Sequence, residues 1–75
     1  VELDVVVRNG ETIVVEIKAH AGRGDVAEFA RSADLYDKLH GGAPSHRVLI
    51  SPSVDPKALD LAAKLGIEIS TDLSE

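Results

Sequence analysis

The sequence predicts an α/β domain, a β-hairpin followed by α-β-α-β, with a mixed sheet flanked by helices. Three observations carry that expectation. Two valine-rich runs flank Asn9-Gly10, two later segments have apolar residues at helical spacing, and each of these leads into a short apolar run ending at serine.

Glu2 to Arg8 alternates in part and is rich in valine, as a strand is. Asn9-Gly10 is the turn signal, and Glu11 to Lys18 is the returning strand. Ala19 to Gly24 holds two glycines and reads as a loop. Asp25 suits a helix N-cap, with Glu28 in the capping-box position. The helix then runs to about His40 on Val26, Phe29, Ala30, Ala33, Tyr36 and Leu39, and Gly41-Gly42 ends it. "RVLIS", Arg47 to Ser51, reads as a buried strand. Asp55-Pro56 supplies a cap and a first-turn proline for a second helix carrying Leu59, Ala62, Ala63 and Leu65, stopped by Gly66. "IEIS", Ile67 to Ser70, is the closing strand. Short connections predict that the last strand-helix-strand unit is a parallel pair with a right-handed crossover.

Composition bounds the function. Seventy-five residues make one small domain, and with one Phe, one Tyr, no Trp and no Cys, aliphatic side chains carry the core. The absence of Cys fits a reducing compartment, and no apolar run approaches the roughly 20 residues that cross a bilayer, so a cytoplasmic chain without a membrane partner is expected. A net charge of −5 argues against broad electrostatic capture of nucleic acid, although a local basic strip is compatible with it. The first residue is Val1 rather than Met, which suggests a fragment or a processed chain.

Side chains alternate across a strand, so parity assigns the faces of the hairpin. Leu3, Val5, Val7, Ile13, Val15 and Ile17 form an aliphatic set at odd positions, and Asp4, Glu16 and Lys18 gather at even ones. A two-residue Asn-Gly turn pairs odd with even and separates Asp4 from Glu16. Keeping the aliphatic set on one face requires an odd loop or a bulge, and with it the two carboxylates meet. Two carboxylates and a lysine on one face suit Mg²⁺, which takes oxygen ligands and completes its shell with water and substrate phosphate. Such an ion can stabilise charge on a phosphodiester and supply a hydroxide-like nucleophile.

At these residues, "VELDVVV" and "IVVEIK", with eleven residues between Asp4 and Glu16, the chain resembles the PD-(D/E)XK nuclease superfamily, whose fold is restriction-endonuclease-like. The resemblance implies that Asp4 and Glu16 bind the metal, Mg²⁺ or Mn²⁺, that the Ile17 carbonyl is a third ligand, and that Lys18 is the catalytic lysine. It also implies that residues 1–75 are a single, truncated domain, because the family core usually places a helix and another strand before the aspartate strand. The chain looks like the carboxy-terminal, nuclease-like half of a larger prokaryotic protein. One recombination-nuclease branch carries Gln-x-x-x-Tyr on the next helix; here Tyr36 fits, but Ser32 stands at the glutamine position.

The expected function is therefore Mg²⁺-dependent hydrolysis of nucleic-acid phosphodiesters, DNA above all, by Asp4, Glu16 and Lys18. The alternative is a catalytically inactive module of the same fold that serves protein interaction, including a homodimer through an exposed sheet edge. The remaining polar residues have simpler readings. His20 and Arg23 flank the Glu-x-Lys loop, where contact with phosphate is one reading and two polar loop residues the simpler one; His40 and His46 are surface residues, and Tyr36 is a helix residue with its ring in the core. Ser51 and Ser53 have no His/Asp frame that their spacing reveals.

Overall fold

The computed structural model describes residues 3–72. Six elements follow in order: β1 (Asp4–Arg8), β2 (Glu11–Ile17), α1 (Arg23–Leu39), β3 (His46–Ile50), α2 (Pro56–Leu65) and β4 (Glu68–Ser70). The strands form one sheet in the order β1-β2-β3-β4, antiparallel between β1 and β2 and parallel thereafter. Both crossovers step across the sheet in the same direction, so α1 and α2 lie on the same face and share one core. Val14 and Leu49 from the sheet meet Val26, Phe29, Ala30 and Ala33 of α1 and Ala58 and Ala62 of α2 there. Among the described residues, no helix is long and apolar enough to cross a membrane.

The hairpin corrects the expected turn. Asn9 (φ 54°) and Gly10 (φ 79°) both take left-handed conformations, as a two-residue type I′ turn requires, and Arg8 pairs with Glu11. The register continues without a bulge: Val7 with Thr12, Val6 with Ile13, Val5 with Val14, and Asp4 with Val15. The parities therefore mix. Leu3, Val5 and Val7 share the helix-facing side with Thr12, Val14 and Glu16, while Asp4 and Val6 share the open side with Ile13, Val15 and Ile17. The aliphatic set at odd positions does not form one face, because the two-residue turn pairs odd positions of one strand with even positions of the other. What selects the register is the local fit of an Asn-Gly turn to the twist of the strands.

Boundaries moved by small amounts with identifiable causes. α1 begins at Arg23 because the Asp25 carboxylate, in the third helical position, accepts the Gly22 N–H at 2.8 Å; Asp25 is thus not the cap itself. Asp55 and Pro56 start α2 as expected, and Gly66 ends it in the left-handed conformation (φ 70°). At the far end of α1, the Asp37 carboxylate accepts from Ser45 N (3.0 Å), Ser45 Oγ (3.2 Å) and Arg47 Nη2 (2.9 Å). Burial opposes its ionisation, but these donors outweigh burial and hold its pKa below the usual aspartate range. Arg47 also reaches Asp34 at 2.7 Å, which ties β3 to α1.

Leu49→Ala empties the centre of this core. It is expected to cost about 2–5 kcal/mol in urea unfolding, whereas Leu59→Ala, at a side chain 45% exposed, costs about 1 kcal/mol or less.

Candidate active site

The site lies where β2 leaves the sheet. Lys18 N donates to Ile50 O at 2.9 Å, which carries the parallel ladder one residue past the strand. The chain then turns through Ala19 and His20. Ala21 bridges to Val54, donating to Ser53 O (2.8 Å) and accepting from Asp55 N (3.0 Å). His20 crosses the same two loops, with Nδ1 2.8 Å from Ser53 Oγ and Nε2 3.3 Å from Asp55 Oδ1. Two segments distant in sequence are thereby held side by side at the carboxyl ends of the parallel strands, with the amino ends of α1 and α2 beside them. Ligands commonly bind at such an edge in open α/β sheets.

Glu16 points under α1 because it shares a face with Val14, which is fully buried. Its residue surface is only 9% exposed. Lys18, two residues on, places Nζ 4.0 Å from Glu16 Oε2 and 3.2 Å from Asp25 Oδ1. The second Glu16 oxygen, Oε1, is buried without a hydrogen-bond partner. Burial pushes the Glu16 pKa above the ordinary range, with Lys18 opposing that push and the charges of Glu28 and Asp25 adding to it. The hydrogen bond and charge of Asp25 raise the Lys18 pKa, so the ammonium is fully charged at neutral pH. Asp25 moves the other way, lowered first by the Gly22 N–H and then by Lys18.

The structure thus brings Glu16 and Lys18 together and adds Asp25, whose part in the site the sequence reading missed. The available signal was a carboxylate in the first turn of the helix that follows the lysine loop. Asp4 is not brought in. It sits opposite Val15, so its side chain leaves the sheet on the open side while Glu16 leaves on the helix side. Ile17 also projects onto the open side, where it is 59% exposed. Among the described residues, no group of three or more His, Cys, Asp or Glu side chains is arranged to hold a metal ion. The unpartnered Oε1 nevertheless fits one ligand position of a hard cation, which needs only one or two protein carboxylates when water and phosphate supply the rest.

The raised Glu16 pKa has a measurable consequence. A carboxyl group whose pKa is higher folded than unfolded adds stability below its unfolded pKa and loses that contribution as pH rises through the folded value. Glu16→Gln removes the titration. Relative to wild type, Glu16→Gln is expected to gain stability in urea unfolding as pH rises from the ordinary glutamate pKa, about 4.3, toward the higher folded value. A difference that stays constant with pH contradicts the burial of this carboxylate.

The model of the PD-(D/E)XK nuclease superfamily matches residues 1–68. Endonuclease NucS from two strains of Corynebacterium glutamicum is 34% identical over 71 residues, which cover 92% of this chain and 31% of the relative. The crystal structure of a repair endonuclease from Pyrococcus abyssi superposes with a TM-score of 0.79 at 26% identity, covering 91% of this chain and 30% of that one. The chain therefore spans about a third of the length of these proteins. It belongs to the PD-(D/E)XK nuclease superfamily.

Proposed function

We propose that this domain hydrolyses phosphodiester bonds of DNA with the help of Mg²⁺ or Mn²⁺. The observation that carries the reading is the buried Glu16 carboxylate, with one oxygen unpartnered and the Lys18 ammonium beside the other. Membership of a nuclease superfamily, and the names of the relatives as endonucleases, support the same chemistry. Glu16 is the metal ligand in this reading, with the Ile17 carbonyl next to it along the chain. A divalent cation held there by Glu16 would supply charge neutralisation on the phosphodiester and a lowered pKa for an attacking water. Lys18 stays protonated between Glu16 and Asp25, so it does not act as the general base. Its ammonium orients the attacking water and stabilises the negative charge that grows on the phosphorus oxygens. A cytoplasmic location belongs to the same proposal, because the substrate is DNA.

The test is cleavage of a mixed set of nucleic-acid substrates with Mg²⁺ or Mn²⁺, with calorimetric titration of the metal. Lys18→Ala and Glu16→Gln are each expected to lower the rate by about 100-fold or more. Absence of cleavage by wild type, together with absence of metal binding, sinks the catalytic claim. Asp4→Asn separates two forms of the site. A loss equal to that of Glu16→Gln places Asp4 at the metal and demands a three-residue hairpin loop during catalysis; retained cleavage leaves Glu16 as the sole carboxylate ligand.

One observation favours a second reading, an interaction module that dimerises through its sheet edge. β1 is an edge strand exposed along its whole length, and its sequence, Asp-Val-Val-Val-Arg, carries opposite charges at equal distances on either side of Val6. Antiparallel pairing with a second copy centred on Val6 sets each Asp4 against the Arg8 of the other copy. The apolar side chains of the open face, Val6, Ile13, Val15, Ile17, Val48 and Ile50, then continue across the joint. Sedimentation velocity is expected to show a dimer that Arg8→Asp converts to monomer, and a wild type that stays monomeric at every concentration removes this reading.

A further inference from the structure

The formal charge of the chain is −5, yet three of its eight Lys and Arg residues line one depression. This groove of about 170 Å³ is bounded by Arg23 at the start of α1 and by Lys57, Asp60, Leu61 and Lys64 of α2. Residues 57, 60, 61 and 64 follow helical spacing and form a single stripe along α2. Leu61 packs against the core and gives the groove an apolar floor.

The cations here are not engaged elsewhere. Lys18 and Arg47 are consumed by Asp25, Glu16, Asp34 and Asp37, but among the described residues Arg23, Lys57 and Lys64 have no carboxylate within ion-pair distance. Asp60, although it lines the same groove, lies beyond that distance from all three. Three exposed cations against one carboxylate leave local positive charge on an otherwise acidic surface.

The position of the groove connects it to the site. Arg23 lies two residues before Asp25, the partner of Lys18. The amino ends of α1 and α2 touch, since a Cβ on Gly22 falls 3.3 Å from an Asp55 carboxylate oxygen. Helix amino ends carry partial positive charge, which adds to that of Arg23 and Lys57. Seven residues from Lys57 to Lys64 span about 10 Å of helix, which matches the rise of about three phosphates along one DNA strand.

We propose that this groove is a binding track for the phosphate backbone of the DNA substrate, with Arg23, Lys57 and Lys64 contacting phosphates that flank the bond at Glu16 and Lys18. The proposal rests on the nuclease reading for its substrate. It extends that reading by assigning the direction in which the strand leaves the site, over Arg23 and along α2. It also resolves how an acidic chain holds a polyanion: through a narrow strip rather than through net charge.

The experiment is fluorescence anisotropy of a short labelled DNA duplex, titrated with protein over a range of salt in the presence of Ca²⁺, alongside cleavage assays in Mg²⁺. Arg23→Gln, Lys57→Gln and Lys64→Gln are each expected to weaken binding several-fold and to flatten the log–log salt dependence by about 0.9. Arg31→Gln and Lys38→Gln, on a different stretch of α1, serve as controls and leave both unchanged. All five side chains are exposed, and unfolding curves confirm that each variant folds. Equal losses in the controls, unchanged binding in the groove variants, or no binding by wild type overturns the proposal. Unchanged binding and cleavage in the groove variants, with wild-type cleavage intact, remove the track and keep the nuclease. Binding that depends on the groove without any cleavage keeps the track and removes the nuclease.

Discussion

Burial of Val14 governs the rest of this structure. β2 is the one strand paired on both sides by long neighbours, and its even positions face the helices. Covering Val14 completely with α1 contributes about 1.5–3 kcal/mol. Because side chains repeat every two residues, the same covering draws Glu16 beneath the start of α1. The unfavourable desolvation of that carboxylate is thus a consequence of core packing, and Lys18 at the strand end offsets part of it. A buried carboxylate with a raised pKa beside a fixed ammonium is the kind of perturbation that concentrates at functional sites.

Both ends of the parallel sheet are pinned, by different means. At the amino end of β3, Arg47 bridges Asp34 and Asp37 of α1, and the Asp37 carboxylate also closes the glycine-rich turn by accepting from Ser45. At the carboxyl end the loops after β2 and β3 are joined by the Ala21–Val54 bridge and by His20 between Ser53 and Asp55. The first cluster fixes how α1 lies on the sheet. The second fixes where Arg23 and Asp25 emerge relative to Glu16. The candidate site therefore rests on loops held by backbone bonds, and its lysine is held by a helix whose far end is anchored separately.

The order of elements was legible because its signals are local: valine-rich runs around Asn9-Gly10, Asp55-Pro56 before α2, and Gly66 after it. The proximity of Glu16 and Lys18 was legible for the same reason, being set by strand periodicity. The hairpin register was not. Ile13, Val15 and Ile17 are more apolar than Thr12, Val14 and Glu16, so alternation pointed the sequence reading to the more aliphatic face. The structure places that set on the open side, and the turn geometry of Asn9 and Gly10 follows its own preference. Asp25 and the His20–Ser53–Asp55 contact were hidden because they depend on how two loops meet, which no spacing within either loop encodes.

The separation of Asp4 from Glu16 has an electrostatic logic of its own. Glu16 already lies among Asp25 and Glu28, both of which raise its pKa, while the Lys18 ammonium opposes them. A second carboxylate moved onto the helix side would face the same desolvation and add like-charge repulsion, with the Lys18 ammonium shared among four nearby acids. The two-residue turn avoids that cost by sending Asp4 to solvent and placing Leu3 toward the core. It also leaves Asp4 and Arg8 on one side of the edge strand, where their charges are complementary under an antiparallel two-fold. The turn at Asn9-Gly10 thus decides two things at once: how many carboxylates reach the buried site, and which charges line the edge that a partner strand can use.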